Sequence, residues 1–225
     1  MTMTISKRAA LCAAFLLCWT MGKAVADEAA ERQLVVSAIN GNVEGVQAAL
    51  KNGASINVRD SRGRTALLIA THADNVEMAR VLIAAGADVN AKDHIEDSPY
   101  LYAGAEGRNE ILRMTLEAGA DLKSTNRYGG TALIPAAHHG HPETVAILLR
   151  TQIDKDHVNK LGWTALLEAV VLGDGGPTYA RIVQMLVKAG ASPNIADRNG
   201  VTPLAHARAR NLAEIAKILE AAGAR

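Results

Sequence analysis

Two short helical patterns alternate along most of the chain, with glycine-containing turns between them. In the first pattern a Ser or Thr precedes small and aliphatic residues, as in TALLIATH from Thr65 onward. In the second pattern aliphatic residues recur at helical spacing, as at Val76, Ala79, Leu82 and Ile83. This spacing predicts one apolar face on each helix. A glycine follows the second pattern, where it favours the end of a helix. The chain is therefore predicted to consist of helix pairs.

The helix pairs recur with a fixed period. The turn motifs begin 33 residues apart, apart from one step of 38, at Asp60, Asp93, Asn126, Asn159 and Asp197. The glycines after the second helices stand at Gly53, Gly86, Gly119, Gly190 and Gly223. Their steps are 33 residues except for one of 71, which equals 33 plus 38 and spans a unit without this glycine near position 152. Both series place one insertion in the fifth unit. A repeat of this length is the signature of a solenoid, in which each unit packs on its neighbours.

Each unit is interpreted as a tight turn followed by two helices. Asp or Asn with Gly three residues later favours such a turn. A Ser or Thr then stands where a helix N-cap is expected, at Thr65, Ser98, Thr131, Thr164 and Thr202. We predict an all-α solenoid of about six helix-pair repeats with projecting β-turn fingers. The predicted units are 27–59, 60–92, 93–125, 126–158, 159–196 and 197–225.

The fourth unit departs from this pattern at its end. Gln152 stands where the other units have the glycine that ends the second helix. A residue with a side chain is strained in the left-handed region of backbone space. The sequence therefore predicts that this helix ends in a different way or that the loop after it is reshaped, unless Gln152 adopts the strained conformation.

The complete motif resembles the ankyrin repeat, most fully in the runs TALIPAAHHGHPETVAILL and GADVNAKD. The resemblance extends from about residue 33 to the C-terminus.

The runs DSPYLYAGAEGRNEIL and NKLGWTALLEAVVLGDGGP are similar to exported bacterial ankyrin proteins. That resemblance implies a non-catalytic, protein-binding role in the periplasm. It also suggests protection or inhibition of an enzyme, such as an oxidative-stress catalase or a cell-wall hydrolase. A secreted enzyme with its site in the groove and a secreted effector acting on another cell are the alternatives.

The first 26 residues have the organisation of a secretory signal peptide. Lys7 and Arg8 precede the apolar run AALCAAFLLCWTMG, which is short for a membrane span. The small residues of AVA then end at Ala26. We predict a signal peptide over residues 1–26 and a mature chain that begins at Asp27. An uncleaved N-terminal anchor is the alternative. The predicted localisation is periplasmic or secreted, without membrane attachment after cleavage.

Cysteine content indicates how the mature chain is stabilised, and charge indicates the class of its partner. Cleavage would remove both cysteines, so the mature chain would be stabilised by packing rather than by a disulfide. The chain has 24 Lys and Arg against 23 Asp and Glu. This balance disfavours a nucleic-acid partner, whose binding requires an excess of positive charge. We expect a protein partner, no cofactor, and a monomer when the protein is free.

The run HHGH raises the possibility of a metal site. A zinc site requires side chains that converge on one ion, whereas His138 and His139 are adjacent on a helix and point in different directions. His141 matches the histidine of the turn between the two ankyrin helices. No metal site is predicted. By the same resemblance, His72, His138 and His139 occupy variable positions that face the concave binding groove.

The turn tips carry basic side chains together with large apolar ones, and exposure of the apolar ones to solvent is unfavourable, at Ile95, Tyr128, Leu161 and Trp163. Tyr, Trp and Arg are also the residue types that dominate binding hot spots. We predict a protein-binding strip of basic and apolar groups, suited to an acidic or mixed partner surface, at Arg62, Arg64, His72, Ile95, Tyr128, His138, His139, Leu161, Trp163 and Arg198. The alternative is that Tyr128 and Trp163 pack against adjacent tips and stiffen the array.

No catalytic constellation is predicted. Glu96 and Asp97 are paired carboxylates, but a turn tip offers no apolar setting that would raise either pKa. The run LGDGGP lacks the Gly-Lys-Ser/Thr sequence and the preceding strand of a phosphate-binding loop. It is interpreted as a solvated extension between two helices. A dedicated contact loop from Leu172 to Tyr179 is the alternative.

Overall fold

The structure is a computed structural model that describes residues 27–225. The predicted signal peptide lies outside the described residues. Within the described range the chain forms twelve helices and no β-strand, which confirms the predicted all-α solenoid. They are α1 (27–39), α2 (Val43–Lys51), α3 (Ala66–His72), α4 (Val76–Ala84), α5 (Pro99–Ala105), α6 (Asn109–Glu117), α7 (Leu133–His138), α8 (Pro142–Leu148), α9 (Ala165–Val171), α10 (Pro177–Lys188), α11 (Pro203–Ala209) and α12 (Ala213–Ala221).

The helices stack in two layers. The odd-numbered helices from α3 to α11 pack on one another in order, and so do the even-numbered helices from α2 to α12. Small residues permit close approach in the first layer, where Ala70, Ala103, Ala136 and Ala169 are completely buried. A Cβ added to Gly104 would lie 2.8 Å from the Cβ of Ala132, so even alanine would not fit there without a shift.

Five fingers project from the junctions between units: finger 1 (60–64), finger 2 (93–97), finger 3 (126–130), finger 4 (159–163) and finger 5 (197–201). In each finger the first residue donates its backbone N–H to the carbonyl of the fifth, over 2.9–3.0 Å. The side-chain Oδ1 of that first residue, always Asp or Asn, accepts the N–H groups of the third and fifth residues. Asp or Asn is required because the turn depends on this acceptor.

Backbone hydrogen bonds join the fingers in two pairs. His94 of finger 2 donates its N–H to the carbonyl of Arg62 in finger 1, over 3.1 Å. Lys160 of finger 4 donates to the carbonyl of Tyr128 in finger 3, over 2.9 Å. Between fingers 2 and 3 the described residues make no backbone hydrogen bond; a guanidinium nitrogen of Arg127 lies 3.8 Å from a carboxylate oxygen of Asp97 instead.

Four of the five predicted N-caps are confirmed. The side chains of Thr65, Ser98, Thr164 and Thr202 each accept the backbone N–H three residues later, over 3.2–3.3 Å. These bonds satisfy one of the N–H groups that the first turn of a helix leaves without a partner.

The prediction for Thr131 is wrong, and Pro135 explains why. In the second unit the N–H of Ile69 donates to the carbonyl of Thr65. Pro135 occupies the corresponding position in the fourth unit and has no N–H. The carbonyl of Thr131 accepts from Ile134 instead, over 3.1 Å. Helix α7 therefore begins at Leu133, and the buried Thr131 hydroxyl has no hydrogen-bond partner.

The fourth unit ends its second helix without a left-handed residue. Helix α8 stops at Leu148, and Gln152 is not among the non-glycine residues with positive φ. The backbone N–H and the hydroxyl of Thr151 both donate to the carbonyl of Leu148, over 3.0 and 2.7 Å. The same hydroxyl accepts from the N–H of Ile153 over 3.2 Å. The prediction that this helix ends in a different way is confirmed, and Gln152 is not strained.

Candidate protein-binding groove

A groove of about 580 Å³ runs along the finger side of the first-helix layer. Its walls come from fingers 2, 3 and 4 and from helices α3, α5, α7 and α9. We name it the central groove. The third residues of the three fingers line it, namely Ile95, Tyr128 and Leu161, and they are 50%, 52% and 51% exposed. Because the closed finger backbone fixes these tips one unit apart, the three apolar side chains form an ordered row along one edge.

His72 and Tyr102 form a stacked pair in the central groove. Their ring centroids are 3.8 Å apart and the planes differ by 20°. The Nε2 atom of His72 is buried and has no hydrogen-bond partner. Burial lowers the pKa of His72 below its ordinary value of 6.5, because the charged imidazolium would lose solvation there. His72 is therefore neutral at pH 7 and acts as a flat packing surface.

His138 contacts the next unit through a buried carboxyl group. Its Nδ1 lies 3.2 Å from Oε2 of Glu168, a residue that is only 5% exposed. The other carboxylate oxygen accepts a hydrogen bond from the amide of Asn159, over 2.9 Å. Burial raises the pKa of Glu168. Burial and the nearby His139 lower the pKa of His138. The chemistry available here is hydrogen bonding to, or proton exchange with, a group that enters the groove.

His139 and His141 contact the preceding unit. Nδ1 of His139 lies 2.8 Å from the carbonyl oxygen of Ala105 and 3.7 Å from Oε1 of Glu106. A Cβ on Gly107 would lie 3.0 Å from Nδ1 of His141, so this ring covers the preceding turn between helices. Among residues 27–225, no group of three or more His, Cys, Asp or Glu side chains is arranged to hold a metal ion.

Comparison with known proteins identifies the architecture. A family model described as ankyrin repeats (3 copies) matches residues 6–93 and 100–197. The chain belongs to the ankyrin repeat family. Ankyrin repeats are protein–protein interaction modules, so the central groove lies on a fold that binds proteins.

Solved ankyrin structures superpose over most of the chain. An ankyrin repeat domain from Acinetobacter baumannii AYE is 58% identical with a TM-score of 0.83, covering 85% of this chain and 98% of that one. The ankyrin repeat protein EF0377 is 42% identical with a TM-score of 0.82, covering 84% and 97%. The ankyrin domain of Bcl-3, a member of the IkappaB family, is 27% identical with a TM-score of 0.77, covering 86% of each chain.

One curated relative matches over a shorter region. The putative ankyrin repeat protein YahD of Escherichia coli (strain K12) is 54% identical over 57 residues, which are 25% of this chain. The match spans 28% of the length of YahD.

The ankyrin fold brings six of the ten predicted binding residues together. His72, Ile95, Tyr128, His138, His139 and Leu161 all line the central groove. The other four lie elsewhere. Arg62 and Arg64 line a separate depression beside α1, where Arg64 forms a 2.8 Å ion pair with Asp60 of its own finger. Trp163 is half-buried, and Arg198 donates to the carbonyl of Lys160.

Among the other residues that line the groove, three of the four with charged side chains are acidic. Asp97, Glu106 and Glu168 line the central groove. The expectation for Asp97 is wrong: its side chain is only 19% exposed, and burial raises its pKa. The run ALLEAVV contains a signal for Glu168, since an acid interrupts an otherwise apolar helix. The groove is consequently more acidic than the predicted strip.

The insertion of the fifth ankyrin unit folds back on the fourth. The hydroxyl of Tyr179 donates to the carbonyl of His138 over 2.9 Å and packs over Gly140. Leu172 is 41% exposed and lines the end of the groove. The anchored end of the insertion thus supports the helix that carries His138.

No helix within residues 27–225 has the length and apolar character needed to cross a bilayer.

Proposed function

We propose that this ankyrin protein is a non-catalytic binding module that captures a protein partner in the central groove. The observation that carries the proposal is the row of Ile95, Tyr128 and Leu161, each about half exposed at the same position of successive fingers. Solvent exposure of three large apolar side chains in one row is costly unless a partner covers them. A concave surface beneath the row provides the remaining contact area.

We further propose that the protein acts in the periplasm after removal of residues 1–26, where it protects or restrains an enzyme. The basic start, the short apolar run and the AVA site support export. Similarity of the repeat runs to exported bacterial ankyrins supports the enzyme-directed role. An oxidative-stress catalase and a cell-wall hydrolase are the two target classes.

Capture of the partner tests the binding role. Tagged protein is incubated with periplasmic extract, and bound proteins are identified by mass spectrometry. We expect one partner in stoichiometric amount. Tyr128→Ala should weaken its binding by about 2 kcal/mol, or about thirtyfold, because central aromatic residues dominate such interfaces. Glu77→Ala is the control, since Glu77 is exposed on α4, outside the groove. Equal binding by both variants contradicts the groove as the binding surface.

The activity of the captured partner distinguishes the modes of action. Peroxide turnover and peptidoglycan hydrolysis are measured for the partner alone and with a saturating amount of this protein. A longer half-life under heat or oxidant indicates protection, and a lower rate indicates restraint. Turnover of a substrate by the ankyrin protein alone would replace the binding proposal with the groove-enzyme alternative.

A further inference from the structure

The central groove has an excess of negative charge. Its lining includes three carboxyl groups, on Asp97, Glu106 and Glu168. Within the described part of the chain, Arg127 is the only Lys or Arg that lines it. The guanidinium of Arg127 lies 3.8 Å from Asp97 and 4.9 Å from the centroid of the Tyr128 ring. The charge of Arg127 therefore compensates that of Asp97. No second Lys or Arg among the described residues lines the groove to compensate Glu106 and Glu168.

The lack of a compensating cation is most costly at Glu168, because this residue is buried. A buried carboxylate is costly unless a cation or several hydrogen bonds compensate it. Asn159 provides one hydrogen bond to Oε1 but no charge. His138 approaches Oε2, yet burial and His139 lower the pKa of His138, so the imidazole is neutral at pH 7. Burial in turn raises the pKa of Glu168. A partner ammonium or guanidinium group would supply the missing positive charge.

The apolar row indicates the length and conformation of a partner segment that would cover it. Ile95, Tyr128 and Leu161 belong to three successive fingers, and packed helices are about 10 Å apart. The row therefore spans about 20 Å, the length of about six residues in an extended chain at about 3.3 Å per residue. Side chains of an extended chain alternate in direction. Side chains on one side of the segment can thus cover the finger tips, while those on the other side enter the groove toward the helices.

We propose that the central groove binds an extended segment of the partner in which a lysine or arginine, flanked by apolar residues, reaches Glu168. This inference rests on the proposed binding role and specifies the chemistry of the partner. Nδ1 of His139 lies 3.7 Å from the carboxylate of Glu106, which also lines the central groove and adds to its negative charge. An acidic segment or a phosphate backbone would face the same uncompensated carboxyl groups and be repelled.

The test is selection from a phage-displayed library of random linear dodecapeptides. The wild-type protein and the Glu168→Gln variant are panned in parallel. We expect wild-type selections to converge on a Lys or Arg flanked by apolar residues. The Glu168→Gln selections should lose the basic residue and keep the apolar ones. Acidic sequences, or basic residues enriched equally on both proteins, overturn the proposal.

Affinities of one selected peptide complete the test. Replacing its basic residue with norleucine should weaken binding to the wild type at least about tenfold, which is the scale for losing a buried charge partner. The same replacement should have little effect on Glu168→Gln, because the two changes remove the same interaction. Glu106→Gln is a second variant whose site is partly exposed, so folding is little affected. It should weaken binding by a smaller factor; no effect of either variant contradicts the proposal.

Failure here is separable from failure of the proposed function. If no peptide is selected, the segment proposal is overturned. The binding role still stands if Tyr128→Ala releases the partner captured from periplasmic extract. If neither peptide nor partner depends on the groove, both proposals are overturned.

Discussion

The side-chain amide of Asn159 in finger 4 donates a hydrogen bond to Oε1 of Glu168 in helix α9, over 2.9 Å. The sixth unit contains a counterpart, in which Nε2 of His206 lies 2.8 Å from Oδ2 of Asp197. In both units the first finger residue is tied to the first helix that follows it. The finger and the groove wall are therefore positioned as one body.

This relationship predicts different outcomes for two similar substitutions. Asn126→Asp keeps the Oδ1 acceptor that its finger requires, so stability should change by less than about 0.5 kcal/mol. Asn159→Asp keeps the acceptor but loses the donor to Glu168 and places two carboxyl groups together. We expect a loss of about 1–3 kcal/mol, measured by urea unfolding at pH 7. The difference should narrow in acid, where one proton can bridge the carboxyl groups. Equal stability of the two variants would show that the amide of Asn159 is unimportant.

Two glycine substitutions should act in opposite directions. Glu96 has φ of 65° at the finger position where other units have glycine. Glu96→Gly should therefore stabilise the protein by about 1 kcal/mol, because glycine adopts this region without strain. Gln152 lacks that conformation, so Gln152→Gly should lower stability by about 0.5–1 kcal/mol through added freedom in the unfolded chain. Thermal unfolding measures both; stabilisation by Gln152→Gly would contradict the observed end of helix α8.

The Thr131 hydroxyl should contribute little, unlike its counterpart in the next unit. Both Thr131 and Thr164 are 1% exposed, but only the Thr164 hydroxyl caps a helix. Thr164→Val should cost about 1 kcal/mol. Thr131→Val should be neutral or slightly stabilising, because it removes a buried group without a partner. The comparison uses urea unfolding midpoints. A loss at Thr131 as large as that at Thr164 would mean that the Thr131 hydroxyl has a partner in solution.

Stability should fall in mild acid, in part through His72. Its folded-state pKa is lowered below the ordinary value of 6.5, so the unfolded chain binds the proton more readily. The stability that neutral His72 contributes is complete above about pH 6.5 and is lost as the pH falls toward the folded-state pKa. His72→Phe keeps an aromatic ring against Tyr102 and removes this titration.

The melting temperature of wild type and His72→Phe is therefore compared between pH 7.5 and pH 5. We expect a smaller decrease for the variant, although His138 and His141 have lowered pKa values too and retain part of it. The raised pKa values of Asp97 and Glu168 act in the opposite direction at lower pH, and both carboxyl groups remain in the variant. Identical pH profiles would show that His72 does not titrate on unfolding.

Export is tested by the mass of the protein in fractionated cells. We expect the periplasmic fraction to contain a chain that begins at Asp27, because AVA precedes this residue. Ala26→Arg should block cleavage, since the site requires a small residue. Full-length protein in the cytoplasm would contradict the predicted localisation.

The period of the sequence was sufficient for the fold but not for the groove. Finger tips such as Tyr128 could be predicted because one rule of spacing places them all. Contacts between units, such as that of Tyr179 with the carbonyl of His138, depend on how successive units rotate and approach. The period does not specify this geometry. The burial of the Asp97 side chain, which is 19% exposed, could not be predicted from its place in a turn motif either. The effect of Pro135 on Thr131 was local, but it required counting backbone donors rather than matching motifs.

The pairing of the fingers has a mechanical consequence. A backbone hydrogen bond joins fingers 1 and 2, and another joins fingers 3 and 4, so the spacing within each pair is fixed. Fingers 2 and 3 are connected by side chains: Nζ of Lys92 donates to the carbonyl of Thr125 just before them, and Arg127 lies 3.8 Å from Asp97, with these two charged side chains 45% and 19% exposed. Dissolved ions screen a partly exposed pair of this kind. We therefore expect the spacing between Ile95 and Tyr128 to widen with ionic strength more than the spacing within either pair of fingers.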